Sequence, residues 1–337
     1  MDAPASVVRR QGVRECRLAP EESIVNQHSS MAAMGIHCID TGLQRPGFDA
    51  AWLLVDNGRA AFIDCGTSHA VPQMMQALAD RGLTPEAVDW LILTHVHLDH
   101  AGGAGALLAR LPNARVLVHP RGVPHMIDPS RLVAGATAVY GAEEMARTYG
   151  SVLPVPEARV ETAAEGQRVR VGGRTLECAD TPGHARHHIC LFDAHTASWF
   201  TGDTFGIAYA ELAGAQGRFI IPTSSPVQFE PEALKDSIRR LMARQPQAMH
   251  LTHYGTVEDP APLAGALLEQ IDAMVAIGQA SAPGPGRQAE LEQALSDYYG
   301  QRAEHAGLDR AAALEALSID ITLNAQGLIC WLERGQR

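Results

Sequence analysis

Between Thr94 and Gly103 the chain reads Thr-His-Val-His-Leu-Asp-His-Ala-Gly-Gly, three histidines and an aspartate within six positions. Packing alone does not call for that density of imidazole, so a fold that carries it must be arranged around it. The apolar run at residues 90–94 predicts a buried strand that stops at a turn. Side chains two apart on an extended chain point the same way, so His95 and His97 can share one metal ion. Asp99 and His100 fall where the chain turns into a helix beginning near Ala101, and can face a second ion beside the first. Imidazole and carboxylate together suit zinc, with iron or manganese as alternatives.

From Gly35 onward the pattern is regular. Apolar runs at 35–39, 51–55 and 60–63 read as strands, the last two joined as a hairpin through Asp56-Asn57-Gly58. Residues 71–81 have helical spacing and close at Gly82. A helix over 103–110 and a strand over 115–119 follow the histidine run. Residues 120–158 read as helices and loops that could cover a substrate. A second block has strands at 168–171, 174–178, 188–192 and 198–201, a helix at 231–243 and a strand at 248–252. Two strand-and-helix blocks with chemistry at strand ends predict an α/β fold, an αββα sandwich. Residues 260–277 predict a long helix, and Ser281-Ala-Pro-Gly-Pro-Gly-Arg287 a linker. Helices at 288–300, 309–317 and 319–331 would then form a C-terminal helical appendage. The expected division is an arm or leader at 1–34, the main domain at 35–280 and the helical region at 288–337.

Three further motifs place a ligand-type residue at a strand end: Thr181-Pro-Gly-His184, Phe200-Thr-Gly-Asp203 and Leu251-Thr-His253-Tyr-Gly255. Each alone is weak, but the three in order after the opening cluster are jointly strong. His95, His97 and His184 would hold one metal ion, and Asp99, His100 and His253 the other, with Asp203 bridging. Water held between two such ions is deprotonated near neutral pH and becomes a nucleophile.

These residues resemble the metallo-β-lactamase superfamily across roughly residues 35–255. His95-x-His97-x-Asp99-His100, His184, Asp203 and His253 match its dinuclear ligand set in order. The motifs around His184, His188 and Asp203 look most like the glyoxalase II and lactonase branch, which hydrolyses thioesters and cyclic esters. The resemblance implies two divalent metal ions, and a metal-dependent hydrolase that directs a bridging hydroxide at an ester, thioester or lactone, with Asp99 among the catalytic groups. Asp64, in Phe62-Ile-Asp-Cys-Gly66, matches the family's aspartate turn that orients ligand residues. His188 is expected to pack behind the site and the adjacent His187 to be exposed. Phe205, Tyr209 and Tyr254 are expected as substrate walls. An alternative is an iron-dependent oxygen enzyme resembling persulfide dioxygenases, with only His95, His184 and Asp203 as ligands. Glutathione-binding relatives use basic and tyrosine side chains in a C-terminal helical region; Arg287, Arg302 and Arg310 here do not align convincingly with them.

Among 337 residues the net charge of −11 argues against nucleic acid as a partner. A small-molecule substrate is expected, in a cytoplasmic protein with no membrane partner; a homodimer stays open. No unbroken apolar run reaches the roughly 20 residues that cross a bilayer. The N-terminus lacks a secretory layout, and Glu15, Glu21 and Glu22 count against reading Arg9, Arg10, Arg14 and Arg17 as a transit peptide. Cys16, Cys38, Cys65, Cys178, Cys190 and Cys330 show no paired spacing and are read as reduced thiols. His69, His119, His125, His195, His250 and His305 sit in no ligand-like constellation, and Tyr298-Tyr299 is read as helix packing.

Overall fold

A computed structural model describes residues 30–214, 217–224 and 226–335. Most of the expected N-terminal arm, with Cys16, lies outside the described residues. The first sheet has the order β1 (Ile36–Asp40), β2 (Ala50–Asp56), β3 (Arg59–Ile63), β4 (Val88–Ile92), β5 (Arg115–Val118) and β6 (Val160–Thr162). Asn57 and Gly58, both at positive φ, make the tight β2–β3 turn that the Asn-Gly pair demands. The second sheet runs β14 (Gly255–Glu258), β13 (Ala248–Leu251), β10 (Ser198–Gly202), β9 (Ile189–Asp193), β8 (Arg174–Asp180) and β7 (Arg168–Val171). Between β10 and β13 lies a small hairpin, β11 (Ala213–Gly214) and β12 (Gly217–Arg218).

Alternation along the strands decides what each sheet face meets. On β2, Trp52 and Leu54 face inward with Ile63, Ile92 and Leu117 to meet Leu176, Leu191 and Phe200 of the second sheet. Ala51 and Leu53, one residue out of phase, face the other way with Phe62 and Leu91 onto helices α1 (Val71–Ala79) and α3 (Ala104–Leu108). The outer face of the second sheet, with Trp199, Met249 and Leu251, is covered by α7 (Pro231–Met242), α8 (Pro260–Ala280) and α9 (Arg287–His305). Helices α10 (Arg310–Ala316) and α11 (Ser318–Gly335) complete that layer, with Ala313, Ile321 and Leu328 buried in the same cluster. The result is the αββα order expected from the sequence. The C-terminal helices share one apolar core with the second sheet.

Two expectations change, at the histidine run and at α8. The helix after the histidine run starts early: α2 (Leu98–Ala101) already contains Asp99 and His100. Residues 120–158, expected as helices and loops, are that: three short helices, α4 (Val123–Ile127), α5 (Ser130–Tyr140) and α6 (Ala142–Tyr149). And α8 is, by length and composition, apolar enough to cross a membrane, although no unbroken apolar run signals it. Its alanines, leucines, isoleucines, valine and methionine raise mean hydropathy while Glu269, Gln270 and Asp272 interrupt the run. In the structure Leu267, Ile271 and Met274 of α8 are buried against the second sheet and the C-terminal helices.

One buried ion pair ties β8 to β9. Arg174 Nη2 lies 2.5 Å from Asp193 Oδ2, with the two side chains 4% and 0% exposed, and Arg174 Nη1 donates to the Met34 carbonyl ahead of β1. Removing one member leaves a buried charge unpaired, so Arg174→Met should lower the free energy of unfolding by about 3 kcal/mol. Urea unfolding checks this, and an unchanged midpoint would contradict the role given to the pair.

Candidate metal centre

Parallel pairing of β3 with β4, and of β10 with β13, brings the carboxyl ends of four strands to one edge of the sandwich. Asp64 follows β3, His95 and His97 follow β4, Asp203 follows β10 and His253 follows β13. His184 comes from the β8–β9 loop, and Asp99 and His100 from the first turn of α2. All seven residues expected from the sequence as ligands meet there.

The meeting atoms fall into three overlapping trios, each with ligand atoms within 4.8 Å of one another: His95, His97 and His184; His95, His100 and Asp203; and Asp99, His100 and His253. In the first, His97 Nδ1 lies 2.8 Å from His95 Nε2 and 3.2 Å from His184 Nε2. In the third, Asp99 Oδ2 lies 3.5 Å from both His100 Nε2 and His253 Nε2. Asp203 stands between: its Oδ2 is 3.3 Å from His184 Nε2, and its Oδ1 is 3.2 Å from His100 Nε2 and 3.7 Å from His253 Nε2. His95, His100, His184, Asp203 and His253 are buried, while the Asp99 side chain, 28% exposed, opens to the mouth.

The other ring nitrogens are held by the fold, which fixes how each imidazole points. His100 Nδ1 donates to Asp64 Oδ2 at 2.9 Å, and His253 Nδ1 donates to the Phe48 carbonyl at 2.7 Å. Both rings therefore turn Nε2 toward the centre. Asp64 also accepts from the Thr94 amide and hydroxyl and from Thr252 Oγ1, which locks a carboxylate set at φ +57°. Behind the site, the Asp203 amide donates to His188 Nε2 at 3.2 Å. His188 Nδ1 then carries the proton and faces the hydroxyls of Thr181 and Thr204. Gly202 makes this approach workable: at φ +47°, a Cβ there would stand 2.6 Å from His188 Nε2 and from Thr94 Oγ1.

Do these residues suit a cation? Buried His100 Nε2 and Asp203 Oδ1 have no hydrogen-bond partner among the described residues. Burial pulls His95 well below the ordinary histidine pKa, and burial with the neighbouring His184 brings His97 down to about 3, so both offer free lone pairs. Burial also acts to lower His100 and His253, but Asp203 and Asp99 outweigh it, raising His100 well above the usual value and His253 to about 10. Burial would raise Asp203, yet His100, His184 and His253 hold it well below the usual carboxylate range. The carboxylates thus draw positive charge onto the rings around them, a demand that a divalent cation meets. The donor set fits a metal.

Other expectations shift. His187 is buried, stacked 6.2 Å from His95 and edge-on 5.6 Å from His97, with its Nδ1 facing the Val96 amide at 3.5 Å. Strand alternation at the start of β9 pointed it outward, but the loop ahead of β9 folds it under the histidine run. Phe205 and Tyr209 have no exposed surface and lie behind the wall, in the layer between the second sheet and α8–α11. Tyr254 is half-buried beside the site and its hydroxyl reaches Asp40 Oδ2 at 3.4 Å. Sequence reasoning missed Phe48, whose carbonyl orients His253 and whose ring meets it edge-on at 5.6 Å. His250 is fully buried between Ser198 and Thr256. The five described cysteines are free.

The Metallo-beta-lactamase superfamily model matches residues 45–254, and the chain belongs to that superfamily. A metallo-beta-lactamase fold-containing protein of Sulfurisphaera tokodaii is 25% identical over 67% of this chain and 81% of its own. Hydroxyacylglutathione hydrolases of Stenotrophomonas maltophilia and Acidiphilium cryptum are 36% and 27% identical over 45% and 55% of this chain. Those two matches span only 44% and 61% of the relatives' own lengths. Among solved structures, a metallo-beta-lactamase family protein of Thermus thermophilus superposes with a TM-score of 0.63 at 19% identity, covering 90% of this chain and 94% of its own. The chain is thus a metallo-beta-lactamase superfamily member that is similar, over part of their length, to relatives named as hydroxyacylglutathione hydrolases.

Asp64 lies outside the three ligand trios and acts on the centre by aiming His100. Asp64→Asn should weaken metal affinity by about 10- to 100-fold while the fold survives. A chelator-competition titration measures this, and an unchanged affinity would remove Asp64 from the account.

Proposed function

We propose that the protein is a dinuclear hydrolase of an ester, thioester or lactone, with zinc as the first candidate and iron or manganese as alternatives. The observation that carries this reading is Asp203, whose two oxygens face different sets of histidines. His95, His97 and His184 would hold one ion, Asp99, His100 and His253 the other, with Asp203 shared. Such ions polarise a carbonyl oxygen and make water acidic enough to attack at neutral pH.

The chain's own residues do the rest. Burial of the histidines excludes bulk water from the reacting end of the substrate and strengthens every electrostatic contact there. The Asp64 carboxylate and the Phe48 carbonyl keep His100 and His253 in place without reorganisation. Asp99, the open carboxylate at the mouth, is the group assigned to take the proton from the attacking water.

The relatives named as hydroxyacylglutathione hydrolases support an acyl substrate of small size. Two of the three C-terminal arginines, though, are engaged in this chain: Arg287 bonds Ser281 Oγ at 2.9 Å, and Arg310 pairs with Asp297 at 2.8 Å.

Purified protein should contain about two ions per chain and hydrolyse members of a panel of a glutathione thioester, an aryl ester and a lactone. Chelation should abolish the activity and zinc restore it, and His97→Ala should lower kcat/KM by about 100-fold or more with an unchanged circular dichroism spectrum. One iron per chain with oxygen uptake on a persulfide would overturn the hydrolase reading in favour of an oxygenase.

A further inference from the structure

Strand β12, the residues after it and helices α8 and α9 line an open cavity of about 530 Å³ that shares no residue with the histidine–aspartate centre. That volume lies within the range of small-molecule sites, on the order of 300–1,000 Å³. Its floor is apolar, with Phe219, Ile220, Leu263 and Ala266, and its rim carries Arg218, Arg302, Tyr298 and Gln301. No aspartate or glutamate is among its described lining residues, in a chain with 38 acids and a net charge of −11.

The two arginines are unusual in a specific way. Arg218 Nη1 donates to the Ala208 carbonyl at 3.0 Å, but the buried Nη2 has no hydrogen-bond partner among the described residues. Arg302 Nε is likewise buried and without one, while its guanidinium lies 5.8 Å from the Tyr298 ring and also contacts the Tyr298 hydroxyl. Its ion-pair contact, Glu269 at 4.0 Å, is long, and the Glu269 side chain is 75% exposed. Burial lowers the Arg218 pKa from its ordinary value, so the charge stands there at a cost. The Arg302 side chain is 32% exposed at this rim, so its outer guanidinium N–H groups can meet an anion whose apolar body lies on the floor.

We propose that this cavity binds a small amphipathic carboxylate, its anionic end between Arg218 and Arg302 and its apolar end on Phe219, Leu263 and Ala266. The inference is independent of the metal reading, because no candidate ligand lines the cavity. Arg218 also links the cavity to the centre: the Ala208 carbonyl that it holds belongs to the residue whose amide donates to the His253 carbonyl.

Titration calorimetry of the as-purified protein with 4-phenylbutyrate, and with its neutral isostere 4-phenylbutanamide, tests this. The carboxylate should bind with a Kd on the order of 0.1–1 mM, as its size allows. The amide should bind about tenfold or more weakly, the loss of a charge-assisted contact. Arg302→Gln should weaken the carboxylate by about tenfold, and Ala266→Phe, which fills the floor, should abolish binding; thermal melting of both variants reports that they fold. Equal affinity for acid and amide would overturn the proposal. So would no binding at all, or a carboxylate affinity unmoved by both variants, which would place the anion elsewhere, the metal centre included.

Discussion

The site depends on one carboxylate shared between two groups of imidazoles. Asp203 reaches His184 with one oxygen, and His100 and His253 with the other. Everything that fixes Asp203 is supplied by the fold. The parallel pair β10–β13 sets it beside His253, Gly202 lets the chain turn under Thr94, and His188 takes its amide. Two sheets packed face to face put strand ends from both halves at a single edge, which a single sheet could not do.

Burying carboxylates is costly unless positive charge accompanies them. Here Asp64 and Asp203 are almost fully buried and Asp99 lies beside them, and they face histidines, with no lysine or arginine interposed among the described contacts. Histidine gives up its proton near neutral pH and so makes room for a metal ion, which arginine at the same place could not do. The structure therefore stores a demand for positive charge at a point reached by free ring nitrogens. The outer hydrogen bonds to Asp64 and Phe48 spend little and decide which nitrogen is free.

How much of this was legible in the sequence follows from what each feature depends on. His95, His97, Asp99 and His100 are close in sequence, and strand and turn periodicity already sets them side by side. His184, Asp203 and His253 were legible as strand-end motifs, because apolar runs with glycine turns mark where strands stop. Asp64 and His188 were legible through the same strand-end logic joined to the family resemblance. Phe48 was not, since its backbone carbonyl carries the role and any residue type has one. His187, Phe205 and Tyr209 were misplaced because their burial is set by a loop and by the C-terminal helices, which no local pattern reports. The three-residue β6 is too short to signal itself, and β14, Gly-Thr-Val-Glu, carries a single large apolar residue. The membrane-length apolarity of α8 hid behind three polar residues spaced along it.

The central claim is two cations sharing Asp203. Anomalous diffraction at the absorption edge of the bound metal, on crystals of the metal-loaded protein, tests it most directly. Two peaks are expected, one against His95, His97 and His184 and one against Asp99, His100 and His253, each beside a different oxygen of Asp203. A single peak at full occupancy, or two peaks with Asp203 touching only one, would contradict it.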